Sequence, residues 1–115
     1  GVIQAARERT VFAIGLDQEH NHLAPDHDIS YMIKRVDEAI YQISKQTADG
    51  NFPGGQVLRL GLAEEGVGYA PSTLWDKMPE DTKELVDRWA DAIKEGRVTV
   101  PADMDAFGAW QVPNL

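Results

Sequence analysis

The chain has no cysteine, so a disulfide framework, a thiol nucleophile and any Cys-built zinc or iron-sulfur centre are excluded from the start. It also has no apolar run near the roughly 20 residues that a membrane-spanning helix needs. Its opening, Gly1-Val2-Ile3-Gln4-Ala5-Ala6-Arg7, lacks the charged, apolar and small-residue order of a secretion signal. Positive charge is scarce: 11 Lys and Arg stand against 19 Asp and Glu, a formal net charge of -8. That balance repels phosphate backbones and anionic lipid, which argues against nucleic acid as a partner. No repeat or low-complexity segment breaks the chain. No Gly-x-Gly-x-x-Gly loop, no HExxH and no nucleophile-base-orienter set is present, so the expectation is a protein that is not an enzyme and has no cofactor.

What is present is one small domain's worth of material: 115 residues, 43% hydrophobic. Residues 2 to 9 read as the end of an amphipathic helix whose inward side carries Val2, Ile3, Ala5 and Ala6. Thr10 to Leu16 is apolar and β-rich, the pattern of a parallel strand covered on both faces, and Asp17 stands at its carboxyl end. Open parallel sheets bind ligands outside the carboxyl ends of their strands, so Asp17 is a candidate site residue.

Residues 18 to 28 form a polar loop leading to an extended piece at Ile29 to Met32. From Ile33, apolar residues recur at helical spacing through Val36, Ile40 and Ile43, and the run stops at Asp49-Gly50-Asn51. Val57 to Leu62 reads as a short strand, and Glu64 to Tyr69 as a glycine-punctuated loop or irregular edge. A helix is expected from about Pro79 to Glu95, with Leu85, Val86, Trp89 and Ile93 on one stripe and Gly96 as its stop. Val98 to Val100 can add a strand, and residues 102 to 115 show no period and are expected to form an irregular tail. Alternating helices and strands give an α/β fold.

Four blocks in one order carry a resemblance: Gly1-Val2-Ile3-Gln4-Ala5-Ala6, Ala13-Ile14-Gly15-Leu16-Asp17, Met32-Ile33-Lys34-Arg35-Val36-Asp37, and Gly61-Leu62 with Gly66-Val67-Gly68. Together they resemble the basic membrane lipoprotein (BMP) family, which includes PnrA-like nucleoside-binding proteins of bacterial ABC importers. The resemblance implies the C-terminal portion of a type I periplasmic-binding-protein fold. In that fold two Rossmann-like lobes are joined by hinge strands; the N-terminal lobe would be absent from residues 1–115, which would contribute to both lobes. It further implies a solute-binding component that captures a nucleoside or related polar ligand in an interlobe cleft. Its partner would be an importer permease, and its location extracytoplasmic, held at the membrane only through an anchor upstream.

By that resemblance Asp17 corresponds to the acid that holds ribose hydroxyls, which suits a carboxylate able to accept both hydrogens of a vicinal diol. Lys34 corresponds to the lysine at the start of the helix that follows the hinge, where an ammonium can donate to a sugar oxygen. Where relatives show Gly-Val-Asp-Ser-Asp-Gln this chain has Gly15-Leu16-Asp17-Gln18-Glu19-His20, and Ser30-Tyr31 replaces a small Thr-Ser pair. Arg35 and Asp37, in the same block, read as structural: an acid near a helix start suits the dipole, and the arginine can pair with a nearby acid.

Two alternatives stand beside this reading. A ligand-sensing regulator can use the same fold without a transporter. A metal could be held by His20, His22 and His27 among Asp17, Glu19, Asp26 and Asp28, although no metal is expected because that spacing matches no known ligand motif. Trp75, Trp89 and Trp110 could stack on a base, but Trp89 fits a core stripe and the other two have no partner spacing.

Overall fold

The computed structural model describes residues 1–17 and 22–114. Two compact units are present, Gly1–Met78 and Pro79–Leu115. The first holds α1 (Val2–Arg9), β1 (Ala13–Leu16), β2 (Asp28–Lys34), α2 (Val36–Ala48), β3 (Val67–Pro71) and a single 3₁₀ turn at Trp75–Lys77. The second holds α3 (Glu80–Lys94) and α4 (Met104–Ala109). This is the α/β class expected from the alternation of helical and strand patterns.

Helix α1 is built from strong helix formers, Ala-Ala-Arg-Glu-Arg, and stops where Thr10 turns left-handed at φ 54°. The Thr10 N–H then bonds to the Ala6 and Arg7 carbonyls, which closes the helix end and lets the chain reverse into β1. Helix and strand pack together. Of the four residues expected on the helix's inward side, only Ala6 is fully buried.

The sheet has the order β1-β2-β3, parallel between β1 and β2 and antiparallel between β2 and β3. β2 is therefore its central strand. Residues 14 to 16 of β1 pair with 30 to 32 of β2, with an irregularity between Ala13 and Ile14. Gly15 is buried, whereas Ile14 and Leu16 on the other side of the pleat are 68% and 52% exposed. The expectation that this strand is covered on both faces therefore fails within this chain, where one face stands open.

Three boundaries differ from the sequence reading. The helix expected from Ile33 begins at Val36, because Ile33 and Lys34 remain in the ladder opposite Gly68 and Val67. Lys34 is thus the last residue of β2 and not the first of a helix. The strand expected at 57–62 does not form: Gly66 and Val67 donate back to the Gly61 carbonyl and close a turn. β3 forms instead at 67–71, overlapping the 64–69 stretch read as a loop or irregular edge, because the free edge of β2 supplies its partner.

In the second unit α3 matches its expected span and ends at Gly96, φ 72°, where Arg97 and Val98 donate to the Ala92 carbonyl. That cap explains why Val98 to Val100 form no strand. The Val98 N–H is spent on the helix, and the Thr99 carbonyl accepts the Trp110 indole N–H at 3.0 Å. The stretch expected to be an irregular tail contains α4, whose N-terminus is capped by Asp103 Oδ1 accepting the Ala106 N–H at 2.8 Å.

Candidate functional site at the carboxyl ends of β1 and β2

Because β1 and β2 run parallel, their carboxyl ends lie at the same edge of the sheet, and a charged residue stands at each, Asp17 just past β1 and Lys34 at the end of β2. The Asp17 N–H donates to the Met32 carbonyl at 2.8 Å, prolonging the ladder by one residue beyond Leu16. Asp17 then turns left-handed at φ 63°. A non-glycine residue pays about 1–2 kcal/mol for that conformation, less when its short polar side chain bonds locally. The strand ends there, and the carboxylate is aimed across to the neighbouring strand.

The Lys34 ammonium meets it, with Nζ 3.2 Å from Asp17 Oδ2. The two residues are 17 apart in sequence. Parallel pairing brings the two strand ends together. Their side chains are 53% and 46% exposed, so the ion pair contributes about 0.2–1 kcal/mol and leaves both groups open to solvent. Lys34 uses one of its three N–H donors here, and the ammonium meets the Oδ2 oxygen of Asp17. The pair can present donors and acceptors side by side to a polar molecule.

Arg35 and Asp37 form a separate forked pair, with Nε to both carboxylate oxygens at 3.1 and 3.2 Å and Nη2 to Oδ2 at 3.0 Å. The hydrogen bond from Arg35 lowers the Asp37 carboxyl below its ordinary range, and the same bond raises Arg35. Asp37 also lies in the first turn of α2, where negative charge is favoured. The structural role expected for both residues matches this geometry.

Of the three histidines, His22 and His27 lie within the described residues. His22 is exposed, and His27 donates Nδ1–H to the Val11 carbonyl at 3.1 Å, tying the loop to the segment before β1. His20, the third member of the metal alternative, lies outside the described residues, as does Glu19. Among the described residues, no group of three His, Cys, Asp or Glu could hold a metal. Asp26 is 3.9 Å from Lys77.

Sequence reading missed Asp28, which it placed in the polar loop. Asp28 opens β2, is completely buried, and neither carboxylate oxygen has a hydrogen-bond partner among the described residues. Its backbone is well held: the N–H donates to Ala24 and the carbonyl accepts from the Ser72 hydroxyl, which it shares with the Ile29 carbonyl. The alternation Asp28, Ser30, Met32, Lys34 along one side of a strand was the available signal. Trp75, weighed earlier as a stacking platform, instead pairs with Tyr69 at a ring-centroid distance of 6.3 Å and an interplanar angle of 42°.

Residues 1–103 match the family model Bmp, described as ABC transporter substrate-binding protein PnrA-like. The chain is 32% identical over 113 residues to basic membrane protein D of Borreliella burgdorferi (strain JD1), a match covering 93% of this chain and 32% of that protein. The chain therefore spans about a third of the length of the curated relatives it matches. Among solved structures, an ABC transporter solute-binding protein from Aeropyrum pernix K1 superposes with a TM-score of 0.61 at 24% identity, covering 92% of this chain and 38% of that one. A transcriptional activator of the comK gene from Bacillus halodurans superposes at 0.63 and 17% identity, covering 79% and 31%. These likenesses show the fold, and the partial coverage agrees with a portion of a two-lobed α/β architecture. With a family model matched over residues 1–103 and a relative 32% identical across nearly the whole chain, this protein belongs to the Bmp family of PnrA-like ABC transporter substrate-binding proteins.

Proposed function

We propose that the protein is the solute-binding component of a bacterial ABC importer and captures a nucleoside, or a related small polar solute, in a cleft between two lobes. The chain would contribute to both lobes. The observation that carries the reading is the 3.2 Å pairing of Asp17 with Lys34 at the shared carboxyl edge of β1 and β2. A vicinal diol donates to the Asp17 carboxylate and accepts from Lys34, so the pair anchors a ribose without requiring a charged ligand. Capture requires binding and no bond-making step. Lobe closure then follows by population shift, because only the closed state lets both walls touch the ligand. The importer permease is the partner, and the protein works outside the cytoplasm, anchored through a segment beyond this chain.

The test is calorimetric titration of the full-length protein with adenosine, inosine and guanosine, repeated with Asp17→Ala. Charge-assisted hydrogen bonds contribute about 1.5–3 kcal/mol each, so affinity should fall by about tenfold to a hundredfold. Unchanged affinity in the variant would remove Asp17 from the site. A ligand-sensing regulator on the same fold is the second reading, prompted by the likeness to the comK activator. The full-length N-terminus separates the two: an export signal with a lipid-attachment cysteine supports import, and a helix-turn-helix supports regulation.

A further inference from the structure

Helix α2 is tied to the turn at 60–66 by contacts that lie outside the Asp17–Lys34 pair. Just past β2, the Arg35 N–H donates to the Gly66 carbonyl at 2.9 Å and carries the β2-β3 ladder one step beyond Lys34 and Val67. Two turns along the helix, the Gln42 side-chain amide donates to the Glu64 carbonyl at 3.1 Å and to Glu38 Oε1 at 3.0 Å. The turn is itself closed, with Glu64 Oε2 accepting the Gly61 N–H at 2.8 Å and the Gly66 N–H reaching the Gly61 carbonyl at 2.9 Å. A side chain at 66 has no room, since a Cβ there would come within 2.2 Å of Leu60 Cβ. A rigid turn thus grips α2 at Gln42 and the β2-α2 corner at Arg35.

Lys34 sits at that corner, one residue before Arg35. Its long flexible stem can reach Asp17 or turn to solvent, and exposed ion pairs are lost easily because ordering such a side chain costs entropy. We propose that Gln42 is a positioning residue for Lys34: by clasping α2 to the 60–66 turn it fixes the corner from which the ammonium reaches Asp17. The importance of this for ligand capture rests on the function proposed above, but the clasp itself is testable without ligand.

The experiment is competitive acetylation of the ligand-free, full-length protein, with Lys34 read by mass spectrometry against the exposed Lys94 of α3, in the other unit, as internal reference. Gln42→Met and the near-isosteric Gln42→Glu both remove the amide donor from this half-buried helix position while keeping a good helix former there. Each should raise Lys34 labelling relative to Lys94 by up to about fivefold, the factor corresponding to an exposed ion pair. Asp17→Asn should raise it equally, and adding Gln42→Met to Asp17→Asn should add nothing. Lys34 labelling at the wild-type level in both folded Gln42 variants overturns the proposal. An equal further rise on the Asp17→Asn background also overturns it, because Gln42 would then not act through the pair. The result is decided even if no nucleoside binds, so failure of the clasp and failure of the proposed function are distinguishable.

Discussion

Asp17 and Asp28 are two acids of one polar region with opposite surroundings. Asp17 ends a strand in a left-handed conformation, half-exposed and paired with Lys34, so its charge is solvated and partnered. Asp28, eleven residues on, is buried without any partner for its carboxylate oxygens among the described residues. An unmet buried polar group costs about 1–3 kcal/mol. Because the Asp28 backbone N–H and carbonyl are held independently of its side chain, the strand does not need the carboxylate. Asp28→Val, a β-branched residue suited to a strand, is expected to stabilise the full-length protein by about 1–3 kcal/mol. Chemical denaturation would show this as a higher midpoint at unchanged slope. A lower midpoint would mean that the carboxyl group is held by something its described neighbours do not include.

At the scale of elements, the turn at 60–66 determines where the third strand begins. Closing Gly66 onto Gly61 places Val67 opposite Lys34 and Gly68 opposite Ile33, and the register of β3 follows. Gly66→Ala would force a methyl group against Leu60 and its carbonyl. Overpacking of this kind costs about 1–3 kcal/mol, and the variant should show a lower denaturation midpoint with faster amide exchange at residues 67–71. Wild-type exchange there would indicate a turn that yields without moving the strand. The same segment shows what sequence could and could not supply. Helices with end signals were legible: α1, and α3 up to Gly96. Val57 to Leu62 has strand composition but gains no partner, while Val67 to Pro71 has glycines and a proline yet lies along the free edge of β2. Pairing is a long-range event, and local composition does not report it. α4 was missed because Met-Asp-Ala-Phe-Gly-Ala is too short to show a period, although the capping Asp103 was visible. For the site, strand polarity and family resemblance located Asp17 and Lys34, but their contact needed the parallel register. The clasp at Gln42 left no trace in sequence, since a glutamine on a helix has no distinctive pattern.

At the scale of the molecule, the chain presents more apolar surface than its own elements cover. Ile14 and Leu16 leave one face of β1 open, and Val36, Ile40 and Tyr41 are exposed on α2, which buries no residue fully. Among the described residues, the buried hydrophobic ones are small, Ala6, Ala24, Ala90 and Ala92 with Val98, whereas Val2, Phe12, Phe52, Val57 and Phe107 stand largely in solvent. Hydrophobic stabilisation scales with apolar area removed from water, about 25 cal/mol per Å², so a core built from alanines supplies little of it. Exposed apolar residues that share strand and helix faces, unlike scattered single ones, mark surfaces that other protein covers. Relatives about three times as long, with an α/β fold, have the material to do so. The 115 residues produced alone are therefore expected to bind the dye ANS strongly and to self-associate as concentration rises, while the full-length protein should do neither. Dye fluorescence and sedimentation velocity on both would decide it. A monomeric, dye-silent chain of 115 residues would show that these faces close on each other in solution and that the molecule carries its own core.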